Sequence, residues 1–398
     1  MATFFLCMIY AAFISLGLPD SLLGAAWPAM QPALGVPLDS AGVLSMIVAG
    51  GTVVASLSAD RMLHRFGTGR VTLVSVTMTA CALLGYALAP GFWWLALAAV
   101  PMGLGAGAVD AGLNNFVALH YEARHMSWLH CFWGVGATLG PVILSLFLGG
   151  KHGWRGGYGA VCAIQFCLVA VLAVTLPMWD RYEDRAALRA EAAAAKQAGK
   201  KQSTLNIPGV KGALATFFFY CAIEAAAGLW GASYLVEARG LSAEAAARGV
   251  SLYFLGITLG RFLSGFASMR MKSAALIRLG YYNVMEMAQK NVDESGAVLL
   301  MLPLPAGFGV AAMAVLGLGF APVYPSMIHE TPYRFGAERS QAVIGLQMAC
   351  AYVGTTFVPA LFGVLAARLG IGLLPAFLLA GVAGMLLCAE RVRTLCGR

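Results

Sequence analysis

Long apolar stretches alternate along this chain with short polar or Pro/Gly-rich connections. A helix needs about 20 apolar residues to cross a bilayer. Windows of that kind fall at 4–31, 39–58, 71–89, 92–119, 126–149, 156–177, 210–236, 246–267, 274–304, 306–327, 341–363 and 370–389. The pattern predicts an all-α membrane protein with twelve spans. Connections are expected at 60–70, 89–91 and 149–157, among others. The longest polar segment, 179–202, is rich in Ala, Arg, Lys and Glu and reads as a surface helix between two halves. The expected organisation is a first six-helix bundle over 1–178, a cytoplasmic linker over 179–208 and a second bundle over 209–398. The ninth window is interrupted by polar residues at 281–295, which resemble an insertion and which periodicity does not explain.

An internal repeat supports the count. Gly103-Leu104-Gly105-x-Gly107-x-Val109 in span four is echoed by Gly317-Leu318-Gly319-x-Ala321-x-Val323 in span ten. Val135-Gly136-x-Thr138-x-x-Pro141 in span five is echoed by Val353-Gly354-x-Thr356-x-x-Pro359 in span eleven. Asp20-x-x-x-Gly24 and Glu224-x-x-x-Gly228 match more weakly between spans one and seven. Matched spans run in the same direction, so each half needs six. Parallel six-helix repeats around a central cavity are a transporter architecture.

Composition agrees: 60% of residues are apolar, 11% are charged and the mean hydropathy is +0.78. Soluble domains carry about a quarter charged residues. The chain lacks a basic region followed by a cleavage site, so the first apolar run is expected to be a true span. With the N-terminus in the cytoplasm, inner connections hold 19 of the 26 Lys and Arg residues and outer ones five. That bias places both termini inside a cytoplasmic membrane. The net charge of +8 is thereby a topology signal rather than a nucleic-acid surface. The nine cysteines have no CxxC spacing, so neither a disulfide framework nor a metal site is indicated.

Charge inside the spans is the main chemical clue. Asp20 and Asp110 stand in stretches otherwise free of charge. An acid is kept in hydrocarbon when it faces a partner or a watery cavity. At about 1.5 Å per residue, Asp20 falls roughly 22 Å from the cytoplasmic face and Asp110 roughly 10 Å in. They read as successive stations of a proton path. Alternatively, Asp20 is a structural acid at a helix break beside Pro19. His130 falls at the depth of Asp110 across the hairpin, where it either pairs with it or faces interfacial water. Glu224, near the middle of span seven, either ligates solute or pairs with Arg261 on the next helix. Arg261 itself is expected to snorkel toward the cytoplasm. Asn114 lies one turn beyond Asp110 and extends a polar wall. Trp133, Trp230, Tyr324, Gln347 and Tyr352 can supply stacking faces and donors for a solute, or serve as packing.

Ser56-x-x-x-Asp60-Arg61 followed by Gly67-Thr68-Gly69-Arg70 resembles the cytoplasmic loop signature of the major facilitator superfamily, with Ser where Gly is usual. Gly136-x-x-x-Gly140-Pro141 resembles its Gly-Pro helix motif. Acids in spans one and four, Leu129-His130-x-x-Trp133-Gly134-x-Gly136 and Gly319-Phe320-Ala321-Pro322-x-Tyr324-Pro325 are similar to the fucose–proton symporter branch of sugar permeases. The resemblance implies proton-coupled symport of a sugar or similar small polar solute by alternating access. Asp110 would bind the proton and Asp20 would gate or relay it, with His130 assisting. Asp60, Arg61, Arg261, Gly136, Gly140 and Pro141 would form gating and structural motifs. The expected partners are the solute and the lipid bilayer. Neither a second chain nor a cofactor beyond the coupling proton is expected. A GxxxxGK(S/T) phosphate loop is absent, which points to an ion gradient rather than ATP. The alternative is a proton-coupled exporter of amphipathic compounds. A sensor or an intramembrane enzyme is disfavoured by the short linker and by the lack of a nucleophile–base spacing.

Overall fold

The computed structural model describes residues 2–120, 123–182, 204–267 and 306–396. Thirteen α-helices lie within them: α1 (Ala2–Asp20), α2 (Leu22–Leu34), α3 (Ser40–Phe66), α4 (Thr68–Ala87), α5 (Phe92–His120), α6 (Ala123–Leu148), α7 (Gly153–Tyr182), α8 (Val210–Glu237), α9 (Ala243–Ala267), α10 (Ala306–Phe320), α11 (Val323–Phe335), α12 (Ala337–Leu369) and α13 (Leu374–Cys396). Strands are absent from the described residues. By length and composition, nine segments there can cross a membrane, and Phe308–Phe320 is a shorter apolar helix. The predicted ninth span and most of the linker lie outside the described residues.

Three helix boundaries differ from the predicted windows. Span one is present as Leu6–Leu34 but holds a break, in line with one of the two readings of Asp20: α1 stops at Asp20 and α2 resumes at Leu22, close after Pro19, which lacks a backbone N–H. The connection expected at 60–70 is mostly helix. Residues 60–66, a mixture of charged and apolar side chains, prolong α3, and the turn falls on Gly67, whose φ of 84° suits glycine. Span ten breaks at Ala321–Pro322, and α11 runs on to Phe335, well past the predicted end.

Two compact units emerge. The first comprises Met1–Leu23, Pro32–Val36 and Val43–Lys201; the second comprises Gly24–Gln31, Pro37–Gly42 and Gln202–Arg398. In the first, α1 packs on α6, and α4 packs on α5 and α7. Phe13, Phe116 and Trp179 anchor its apolar core. In the second, α8 packs on α12 and α13, and α9 packs on α10.

Glycine seats relate the two units. A Cβ on Gly103 of α5 would overlap the Val48 carbonyl of α3, and one on Gly317 of α10 would overlap the Tyr253 carbonyl of α9. A Cβ on Gly136 of α6 would overlap the Ile14 carbonyl of α1, and one on Gly354 of α12 would lie 2.8 Å from the Phe218 carbonyl of α8. The repeated motifs therefore make the same backbone-to-backbone contacts twice. Small residues allow such approach where no aqueous driving force acts between helices.

Candidate functional site

These seats set a common register. Asp20 and Glu224 stand six residues beyond Ile14 and Phe218. Ser56 and Arg261 stand eight beyond Val48 and Tyr253, while Asp110 and Tyr324 stand seven beyond Gly103 and Gly317. The first unit thus carries acid, serine and acid where the second carries acid, arginine and tyrosine.

In the first unit, Asp20 ends α1 with its side chain exposed. The indole Nε1 of Trp133 on α6 donates to its Oδ2 at 2.8 Å. That reach depends on close helix contact: Cβ atoms on Gly17 and Gly136 would overlap backbone of the opposite helix. A Cβ on Gly140 would lie 2.5 Å from the Leu18 carbonyl. Pro141 follows inside α6 and is buried. Asp110, partly buried on α5, accepts from Asn114 Nδ2 at 2.8 Å on Oδ1, and the same nitrogen reaches the Asp110 carbonyl at 2.9 Å. Trp133 and Asn114 are both neutral donors. Protonating either acid therefore strands no cation. His130 stands edge-on to Phe13, with ring centroids 5.9 Å apart. Sequence reasoning missed a bond between Tyr10 Oη and His125 Nδ1 at 2.8 Å, which links α1 to the start of α6. Tyr10 also stacks on Phe132, but nothing in its local pattern sets it apart from other interior tyrosines.

The second unit is organised around a cation. Of the two arrangements open to Glu224, the structure holds the ion pair. Arg261 Nη2 lies 3.1 Å from Oε1 and 3.4 Å from Oε2. The guanidinium turns onto α8. Its Nη2 also reaches Tyr220 Oη at 3.5 Å, and its centre lies 5.7 Å from the ring of Tyr324. Tyr253 donates to the Glu224 carbonyl at 2.9 Å. Phe217 packs on Tyr324 at 5.2 Å between centroids. Tyr220 sits one helical turn before Glu224, a spacing from which its proximity could have been read. Protonating Glu224 would remove the carboxylate charge that faces Arg261 at 3.1 Å, which is unfavourable in low dielectric.

The remaining expected residues scatter. Trp230 is fully enclosed and donates to the Pro359 carbonyl at 2.8 Å, beside Phe362. Gln347 is also enclosed, and its Oε1 accepts from Thr331 Oγ1 at 3.1 Å. In this structure both are enclosed, which matches the packing alternative. Tyr352 is partly buried, and its carbonyl accepts from Thr356 at 2.6 Å. Arg61 is exposed on α3, while the side chain of Asp60 lies outside the described residues. With Trp230 as packing, Trp230→Phe should lower unfolding free energy by about 2–4 kcal/mol, from the stranded Pro359 carbonyl and the space left by the smaller ring. The KM of transport should stay unchanged; a severalfold rise in KM at normal stability would return Trp230 to the solute site.

The fold and its internal repeat define a membrane transporter. The chain belongs to the Major Facilitator Superfamily, whose family model matches residues 9–285. It is a multi-pass membrane transporter and not an enzyme. It is 22% identical to Bypass of stop codon protein 6 of Saccharomyces cerevisiae, over 93% of this chain and 78% of that protein. It is 23% identical to the glucose/mannose transporter GlcP of Bacillus subtilis, over 66% of this chain and 65% of the relative. Its fold matches that of a D-xylose-proton symporter with a TM-score of 0.74 at 12% identity, covering 97% of this chain and 96% of the other.

Proposed function

We propose that this protein is a proton-coupled symporter that imports a sugar or similar small polar solute across the cytoplasmic membrane by alternating access. Both termini lie in the cytoplasm on this reading. The observation that carries it is the unequal pairing of the matched acids. Asp20 and Asp110 are held by neutral donors, Trp133 and Asn114, and can take up and release protons. Glu224 is held by Arg261 and stays charged through the cycle. Proton chemistry is therefore assigned to the first half. Solute contacts are assigned to the second, around Glu224, Arg261 and Tyr324. The named substrates of the glucose/mannose transporter and the xylose–proton symporter support a sugar as solute. The span-one and span-four acids keep the fucose–proton branch within the proposal.

The test is uptake by proteoliposomes of the purified chain under an inward proton gradient, using labelled glucose, mannose and xylose. Accumulation of at least one sugar that a protonophore collapses is the expected result. Extrusion of hydrophobic cations without sugar uptake would replace import with export of amphipathic compounds.

A further inference from the structure

Pro19 alters the hydrogen bonding inside α1. In an α-helix the Ser15 carbonyl accepts from the N–H of residue 19, which proline lacks, and the proline ring crowds that same carbonyl. Gln165 of α7 supplies a donor in its place: Nε2 lies 2.5 Å from the Ser15 carbonyl oxygen. Gln165 is fully enclosed, and its Oε1 has no hydrogen-bond partner. From Val161 to Val174 its side chain is the one amide in a run of apolar residues and cysteines. Burying an amide with one end unsatisfied is unfavourable, so the bond to Ser15 has that cost to offset.

The second unit shows the same stretch without the proline. In the common register Ser15 and Pro19 match Phe219 and Ile223 of α8. Ile223 keeps its N–H, and α13 meets this stretch with glycines. A Cβ on Gly384 would lie 3.2 Å from the Phe219 ring, and one on Gly381 would overlap the Ile223 side chain. Helix α8 runs unbroken from Val210 to Glu237, whereas α1 stops at Asp20. Proline and amide thus occur together, in the half whose first helix breaks at an acid.

We propose that Gln165 is a positioning residue that replaces the hydrogen bond Pro19 withholds and so fixes the end of α1, aiming Asp20 at Trp133. This inference rests on the reading of Asp20 as a proton station. Helix α1 is held on two sides: Gly17 lies against the Trp133 carbonyl of α6, and the Ser15 carbonyl is tied to α7. Asp20 follows Ser15 by about one and a half helical turns. Without the tie this stretch keeps its proline but loses the donor that fixes the bend, and the bond from Trp133 Nε1 to Asp20 Oδ2 loses its alignment.

The experiment compares the full-length wild type, Gln165→Leu, Pro19→Ala and the double variant, each labelled with fluorotryptophan. Leucine keeps most of the side-chain volume and removes the donor; alanine at position 19 restores the N–H. Gln165→Leu should lower the melting temperature by about 2–4 °C, the shift of one net hydrogen bond. In the Pro19→Ala background the same substitution should lower it much less, because the two changes act on one carbonyl. The fluorine resonance of Trp133, assigned through Trp133→Phe, should move in Gln165→Leu. Proton-driven uptake of labelled glucose, mannose or xylose should fall more than counterflow. A glutamine that only supports packing would lower uptake and counterflow equally and leave the Trp133 resonance in place. Either of those results, or equal melting losses in both backgrounds, overturns the proposal. If Gln165→Leu does not fold, the double variant should; its failure to fold also overturns it. If Asp20→Asn still accumulates sugar under a proton gradient, the proton reading of Asp20 fails, while the melting cycle and the resonance still decide on Gln165.

Discussion

Asp110→Asn is expected to abolish uphill accumulation of solute while leaving exchange of internal for external solute in place. Asparagine has the shape of a protonated aspartate and cannot release a proton. Its side-chain oxygen can still accept from Asn114 Nδ2, so the polar contact within α5 survives. Loss of accumulation could not then be assigned to a broken helix. Under a proton gradient of one pH unit and one proton per solute, the wild type can concentrate solute about tenfold, since 1.4 kcal/mol corresponds to a factor of ten. The variant should settle near equal concentrations on both sides. Counterflow in the absence of a gradient should proceed at a comparable rate. Unchanged proton-driven accumulation would remove Asp110 from the coupling path.

Gly136→Ala should be among the most damaging small substitutions in the first unit. The added methyl would overlap the Ile14 carbonyl oxygen, and it would also lie 2.9 Å from the Ile14 carbonyl carbon and 3.0 Å from the Leu18 nitrogen. These are backbone atoms of α1, so no side-chain rotation relieves the clash and the helices must separate. Overpacking of this kind costs about 1–3 kcal/mol or more. Trp133 lies one turn before Gly136 on α6, so the same displacement draws its indole away from Asp20. Melting temperature and uptake should therefore fall together. Gly159→Ala is the control: a Cβ there meets nothing within 4 Å, and removing a helical glycine should be neutral or stabilising by about 0.5–1 kcal/mol. Equal melting temperatures for the two variants would show that the α1–α6 seat is not tight.

Much of this architecture was legible in the sequence because a bilayer forces long, apolar, internally bonded segments. The repeated glycine motifs coincide with places of close helix approach. They did not say which helix approaches, because that depends on the rotation of each helix about its axis. Trp133 and Trp230 show the difficulty. Both are interior tryptophans with equal claim from sequence to a solute, yet one reaches an acid and the other is sealed against Pro359. Boundaries failed for a related reason. Hydropathy ends where the lipid ends, whereas a helix ends where its backbone is interrupted. Thus α3 runs through polar residues to Gly67, and span one breaks in the middle of an apolar run. The pairing of Glu224 with Arg261 was one of two readable options, and only coordinates could choose between them.

The ion pair also bears on how the transporter responds to voltage. A charge crossing the membrane field exchanges about 2.3 kcal/mol per 100 mV, but a bound cation and anion moving together do almost no electrical work. Movement of Glu224 and Arg261 together thus adds little electrical work. On the proposed proton-coupled reading, dependence of turnover on membrane potential is expected at Asp20 and Asp110, where the local charge would change during the cycle.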